Sequence, residues 1–102
     1  MTRYYITTLT SISNADPAVF TLVDHGLYIG DRIRLFTSSS LPSPLVVNTD
    51  YYVVHQGLTT STFELSDGMG GTPIATTSAG AGTHSFMKMN HDGLTPIEED
   101  NR

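Results

Sequence analysis

The sequence predicts an all-β fold: a small antiparallel β-barrel or sandwich followed by an extended C-terminal arm. Three observations predict it. No segment carries an apolar stripe at helical spacing. Apolar residues instead alternate with polar ones in short runs, and Gly, Pro, Asn and Asp break those runs about every 8–12 residues. The surface chemistry agrees, since the chain has ten Ser and fifteen Thr but only 15% charged residues, against roughly 25% in ordinary domains. Thr packs well on a pleated surface. A low charge content also suits faces covered by a neighbouring protein, and composition leaves both readings open.

Residues 4–12 alternate aromatic or aliphatic positions with Thr and Ser, which predicts a strand with one wet face. Asn14-Ala15-Asp16-Pro17 is a turn, with Pro17 pre-setting φ and the Asn and Asp side chains able to bond nearby backbone. Residues 19–23 form the second strand, with Phe20 and Leu22 on one face. Asp24-His25-Gly26-Leu27 then reverses the chain, and Gly30-Asp31 marks a second tight bend. His25, Gly26, Gly30 and Asp31 are read as structural turn residues, the His25 ring holding the reversal through bonds to backbone. Residues 32–36 are a strand with Arg32 and Arg34 on the face opposite Ile33. Residues 38–44 are a loop stiffened by Pro42 and Pro44. Further strands are expected over residues 45–47, 51–55 and 62–66. A glycine-rich turn runs from Asp67-Gly68 to Gly71, and residues 73–75 add a brief edge strand. Gly80-Ala81-Gly82 leads into the closing strand at residues 83–87, with Gly82 as its turn residue. A β-barrel-like domain is thus expected over residues 1–86 and an extended acidic arm over residues 87–102. The arm carries the cluster Glu98-Glu99-Asp100 and two apolar anchors, Leu94 and Ile97. It reads either as a frayed tail or as a segment held by a partner.

Composition excludes several function classes. A chain of 102 residues fits one small domain. With no Cys there is no disulfide framework and no thiolate-based metal or nucleophile chemistry. Five Lys and Arg against ten Asp and Glu leave a net charge of -5, unsuited to tracking nucleic-acid phosphates. No apolar run approaches the roughly 20 residues of a bilayer span, and no signal-peptide pattern opens the chain. A soluble protein, intracellular at least at synthesis, is expected.

No active site assembles from the residues either. His25, His55, His84 and His91 lack metal-ligand spacing, and the bland role of a hydrogen-bonded turn histidine outweighs a metal. There is no G-x-S-x-G elbow, and the acids sit at turns rather than paired across a cleft. Gly68-Met69-Gly70-Gly71 and Gly80-Ala81-Gly82 lead into strand, whereas phosphate loops lead into a helix. No catalytic, cofactor or metal residue is expected, and the chain reads as a non-enzyme.

Five tokens stand in order across residues 19–86. They are the H-G-L-x-x-G-D reversal at His25 to Asp31, the Tyr51-Tyr52-Val53 strand, the T-F-x-L-S strand beginning at Thr62, the G-G-x-x-I turn ending at Ile74, and G-x-G-T-H closing at His84. This set resembles a small β-module of tailed-bacteriophage virion proteins, one often labelled by its likeness to a half-domain of ubiquitin-activating enzymes. The resemblance implies a structural building block and no catalytic residue, for the cysteine and adenylation apparatus of those enzymes have no counterpart here. It implies a virion structural protein, most concretely a capsid cement or decoration protein on the capsid exterior. Such a protein would clamp neighbouring subunits of the major capsid protein non-covalently, as a homo-oligomer such as a trimer. Arg3, Tyr4, Tyr5, Met87, Met89, Leu94 and Ile97 are the expected capsid or subunit contacts, with Tyr4 and Tyr5 equally able to fill the domain's own core. The alternative is a tail, baseplate or fibre module that presents the hydroxyl-rich loops 38–44 and 57–61 to a host surface.

Overall fold

The structure, a computed structural model, describes residues 6–89. These residues form eight strands: β1 (Ile6–Thr8), β2 (Ser11–Ile12), β3 (Phe20–Thr21), β4 (Arg32–Thr37), β5 (Asp50–Val53), β6 (Thr62–Phe63), β7 (Leu65–Ser66) and β8 (His84–Met89). Every pairing is antiparallel, in a five-stranded sheet of order β1-β8-β4-β5-β7 and a three-stranded sheet of order β2-β3-β6. The all-β expectation holds. No closed barrel forms among the described residues, and two separate sheets take its place.

The reason lies at two points where the chain changes sheet. The expected strand over residues 4–12 breaks after β1: the Leu9 N–H donates to the His84 carbonyl, whereas the next residue, Thr10, donates to Thr21. One segment thus serves β8 and then β3. The strand expected over residues 62–66 breaks likewise at Glu64, with Phe63 paired to Phe20 and Leu65 paired to Val53. Buried apolar residues stand on both sides of each break, Leu9 and Ile12 at the first and Phe63 and Leu65 at the second, so the apolar pattern does not mark where the partner changes.

Three other segments depart from expectation. Residues 45–47 form no strand: the Leu45 N–H closes a turn onto the Pro42 carbonyl, and of the three only Leu45 is buried. Residues 73–75 satisfy their backbone singly rather than in a ladder, as Ile74 donates to Leu65 and accepts from Ala18. Finally, β8 continues through Met89, which pairs with Arg32. Met87 and Met89, expected to begin the arm, are ladder residues of the domain. A deletion starting at Met87 would therefore remove half of β8.

The inner faces of both sheets meet in one core that includes Phe20, Ile33, Leu35, Phe63, Leu65 and Phe86. Phe63 stacks on Phe20 at 5.2 Å between ring centroids and meets Phe86 edge-on at 5.9 Å, which joins the small sheet to the large one. On the outer face of the large sheet, Arg32 and Arg34 stand with Tyr52 and Asp50. The Asp50 carboxylate accepts from Arg34 Nε at 2.7 Å and lies 3.8 Å from Arg32. The Arg32 guanidinium also lies 5.1 Å from the centre of the Tyr52 ring. The carboxylate partner of this arginine pair belongs to the domain itself.

Glu64, at the second crossing, is only 5% exposed. Burial pushes its carboxyl above the usual carboxylate range, and a bond from Gln56 Nε2 at 3.2 Å pulls weakly the other way. Its carboxylate is packed against Gly57, where any Cβ would collide with it. Because the folded form holds this proton more tightly than the unfolded form, ionisation costs stability as pH rises through the Glu64 range. Glu64→Gln is therefore expected to raise Tm by a few degrees at neutral pH, with the gain closing below the ordinary pKa of 4.5. Thermal melts of both proteins across pH check this. A gain that persists unchanged in acid would contradict it.

Candidate functional site: the reversal loop and its two clefts

Between β3 and β4 the chain must turn sharply while three consecutive apolar residues, Leu27, Tyr28 and Ile29, pass through the bend. Only one of them can point inward. Leu27 is buried, while Tyr28 is 72% and Ile29 58% exposed. Left-handed backbone at Asp24 (φ 55°), Gly26 (φ 70°) and Gly30 (φ 86°) makes the turn possible, a region open to glycine at no steric cost.

His25 holds this loop to the neighbouring one. Its Nδ1 accepts from the Leu27 N–H at 2.9 Å, and its Nε2 lies 2.6 Å from the Thr59 carbonyl and 3.0 Å from the Thr62 carbonyl. An Nε2–H shared by two acceptors, with Nδ1 unprotonated, satisfies all three contacts. The ring also meets Phe63 edge-on at 5.1 Å. At the loop's far end, the Asp31 carboxylate accepts from the Tyr28 N–H at 2.8 Å and pairs with Lys88 at 3.2 Å. The Lys88 ammonium lies 5.9 Å from the centre of the Tyr28 ring. Gly30 and Asp31 bond to Val53 through backbone. The polar residues of the H-G-L-x-x-G-D token thus hold the loop, and the loop displays Tyr28 and Ile29. Gly82 (φ 84°) serves the other turn, where a Cβ would come within 2.5 Å of the Ser38 hydroxyl.

A cleft opens on each side of the loop. One, of about 270 Å³, lies between Asp24–Tyr28 and Thr59–Thr60. The other, of about 450 Å³, is floored by the buried Val53 and Val54 and rimmed by Ile29, Met69 and Pro73. Met69 is 62% exposed and its sulfur packs over Gly30, so Ile29 and Met69 make one apolar rim.

Of the expected contact residues, Arg3, Tyr4, Tyr5, Leu94 and Ile97 lie outside the described residues. Met87 is half-buried on the outer face in a row with Ile6 and Arg34, and Met89 is buried beside Arg32. The structure does not gather these two at the reversal loop. Residues 38–44 use much of their polar capacity internally, as the Ser38 hydroxyl accepts from the Thr83 N–H. His84, on the inner face, bonds the Thr37 hydroxyl at 2.9 Å, and burial lowers its pKa. Among the described residues no group of three or more His, Cys, Asp or Glu could hold a metal ion.

Sequence reasoning misses Tyr28, Ile29 and Met69 as surface features. The available signal is apolar residues inside glycine-punctuated turns, where the geometry leaves no room to bury them all. Family models, curated proteins and solved structures yield no match to the chain.

Proposed function

We propose that the chain is a non-catalytic structural protein of a tailed-bacteriophage virion, a cement or decoration protein on the capsid exterior. The observation that carries this reading is the preorganised apolar rim of Ile29 and Met69 above a cleft of about 450 Å³. Such a rim suits an apolar side chain of a capsid subunit, since methionine adapts to irregular partners and is favoured in interface cores. The ordered tokens of the phage β-module support the virion assignment. Contacts that are weak singly add through effective concentration when copies repeat around a symmetric shell. Clamping by residues 90–102 belongs to the same proposal, with Leu94 and Ile97 as its apolar anchors.

The test is co-sedimentation of the purified chain with capsids of the phage that encodes it, with copy number read by quantitative mass analysis. A copy number comparable to that of the capsid protein is expected, and a deletion of residues 90–102 or the pair Ile29→Ser and Met69→Ser should weaken binding at least about ten-fold. A copy number of only a few dozen would favour the tail, baseplate or fibre alternative. Failure to sediment with any particle would end the virion reading.

A further inference from the structure

The cleft on the other side of the reversal loop has a different chemistry. Its walls carry an exposed aromatic ring, one carboxylate and threonine hydroxyls. We propose that this cleft binds a single uncharged sugar unit, with the Tyr28 ring against the sugar's apolar face and the Asp24 carboxylate and Thr60 hydroxyl taking its hydroxyl groups.

Size comes first. About 270 Å³ falls just below the roughly 300–1,000 Å³ of drug-sized sites, which suits one ring rather than an extended ligand. Preorganisation comes next. The Tyr28 backbone is held by Asp31, and one side of its ring is occupied by the Lys88 ammonium. The rest of the ring stays exposed, and aromatic rings combine a broad apolar face with a polar tip. A pyranose presents the complementary surface, a patch of C–H groups on one face with hydroxyls around the rim.

The polar groups divide clearly. Thr59 Oγ1 is engaged within its own turn, accepting from the Ser61 and Thr62 N–H groups. Among the described residues the Asp24 carboxylate and the Thr60 hydroxyl have no such partner. Asp24 is held at φ 55°, a region a non-glycine residue enters only at some cost, and this sets the direction in which its side chain leaves the loop. Two adjacent sugar hydroxyls can donate to the two carboxylate oxygens, a charge-assisted and therefore strong arrangement.

Charge narrows the class. A lone carboxylate repels phosphates and acidic sugars. One aromatic face without further rings falls short of the aromatic cages that capture quaternary ammonium groups. Hydrolysis is not implied, because it calls for a second carboxylate across the bond and both His25 nitrogens are bonded within the fold. The site is independent of which virion surface the domain occupies.

The experiment uses the full ¹⁵N-labelled chain, titrated with methyl α-glucoside, methyl β-galactoside, methyl α-mannoside and N-acetylglucosamine, each to about 50 mM, a range that captures millimolar affinities. Choline and N-acetylneuraminic acid serve as charged probes. Saturable shifts at the Gly26, Tyr28 and Thr60 amides are expected with at least one neutral sugar. Tyr28→Ala and Asp24→Gly should each weaken that binding at least ten-fold, with the remaining amide spectrum unchanged. The glycine keeps the left-handed backbone while removing the carboxylate, and Thr60→Val, expected to weaken binding several-fold, gives a third arm should either variant disturb the fold. No saturable shift with any of the four sugars overturns the proposal, as does equal affinity in folded Tyr28→Ala. Binding of choline alone would make the cleft a small-cation site instead.

Discussion

Phe63→Ala is expected to destabilise the domain by about 3–5 kcal/mol, the range for truncating a fully buried phenylalanine. Phe63 has no exposed surface, and its ring touches Phe20, Phe86 and His25 at once. Removing it leaves a cavity where the two sheets meet. Neighbours cannot collapse into that space without pulling one sheet away from the other. Aromatic pairing adds about 0.5–1.5 kcal/mol per pair beyond the area buried, so the upper half of the range is expected. For a domain of this size the loss corresponds to a Tm drop of about 15–30 °C. Total stability is commonly about 5–15 kcal/mol, so the variant should lie near the edge of folding. Phe63→Leu should cost roughly half as much. Combined with Phe20→Leu it should cost less than the two single changes together, because the pair shares one contact. Denaturant and thermal melts of the wild type and the four variants measure all of this. A Phe63→Ala loss below about 1.5 kcal/mol would show that the ring is not the common neighbour of the two sheets.

Much of this arrangement is legible in the amino-acid sequence. The alternation around Phe20, Ile33, Leu35, Phe63, Leu65 and Phe86 marks the inner faces, and all six residues are buried. What the pattern cannot reveal is partner choice. Leu9 and Thr10 are adjacent yet bond to different sheets, and Glu64 stands between two strands that belong to different sheets. A period of two records which face a residue presents and says nothing about which strand lies beside it. The absence of barrel closure is hidden for the same reason, since closure is a property of pairing.

The surface is less legible. Tyr and Met cluster towards the chain ends and point to an interface there, yet Met89 lies in the interior and Met87 in a ladder. Tyr28, Ile29 and Met69 escape notice because they sit in turns, and turns are read for their glycines. Counting apolar residues against the inward positions a bend offers exposes them. Glu64 is invisible for a related reason. An acid between Phe63 and Leu65 reads as the outward position of a strand, and here the outward side is covered by the loop holding Gln56 and Gly57.

His25→Ala is the second large effect, about 2–4 kcal/mol, and it separates hydrogen bonding from packing. The ring joins the Leu27 N–H of one loop to the Thr59 and Thr62 carbonyls of another, so its loss strands the Leu27 N–H and the Thr59 carbonyl near the core, while the Thr62 carbonyl keeps the Thr59 N–H. Buried groups left without partners cost more than the bonds contributed when present. His25→Phe makes the distinction. It preserves a ring against Phe63 and restores the volume, yet supplies neither donor nor acceptor. If bonding dominates, the phenylalanine variant should be nearly as unstable as the alanine one. If the edge-on contact with Phe63 dominates, it should recover most of the loss. The first outcome is expected, because three directed bonds meet on this ring and only one aromatic contact does. Hydrogen exchange sharpens the test: the amides of Leu27 and Tyr28 should lose protection in both variants while those of β4 and β8 keep theirs. Uniform loss of protection would mean that His25 supports the whole core rather than the loop. The same variant bears on the clefts, since Tyr28 and Ile29 are displayed only while the loop is held. On the two binding proposals made for these clefts, a folded His25→Phe protein with a loosened loop should lose affinity for capsids and for sugars alike.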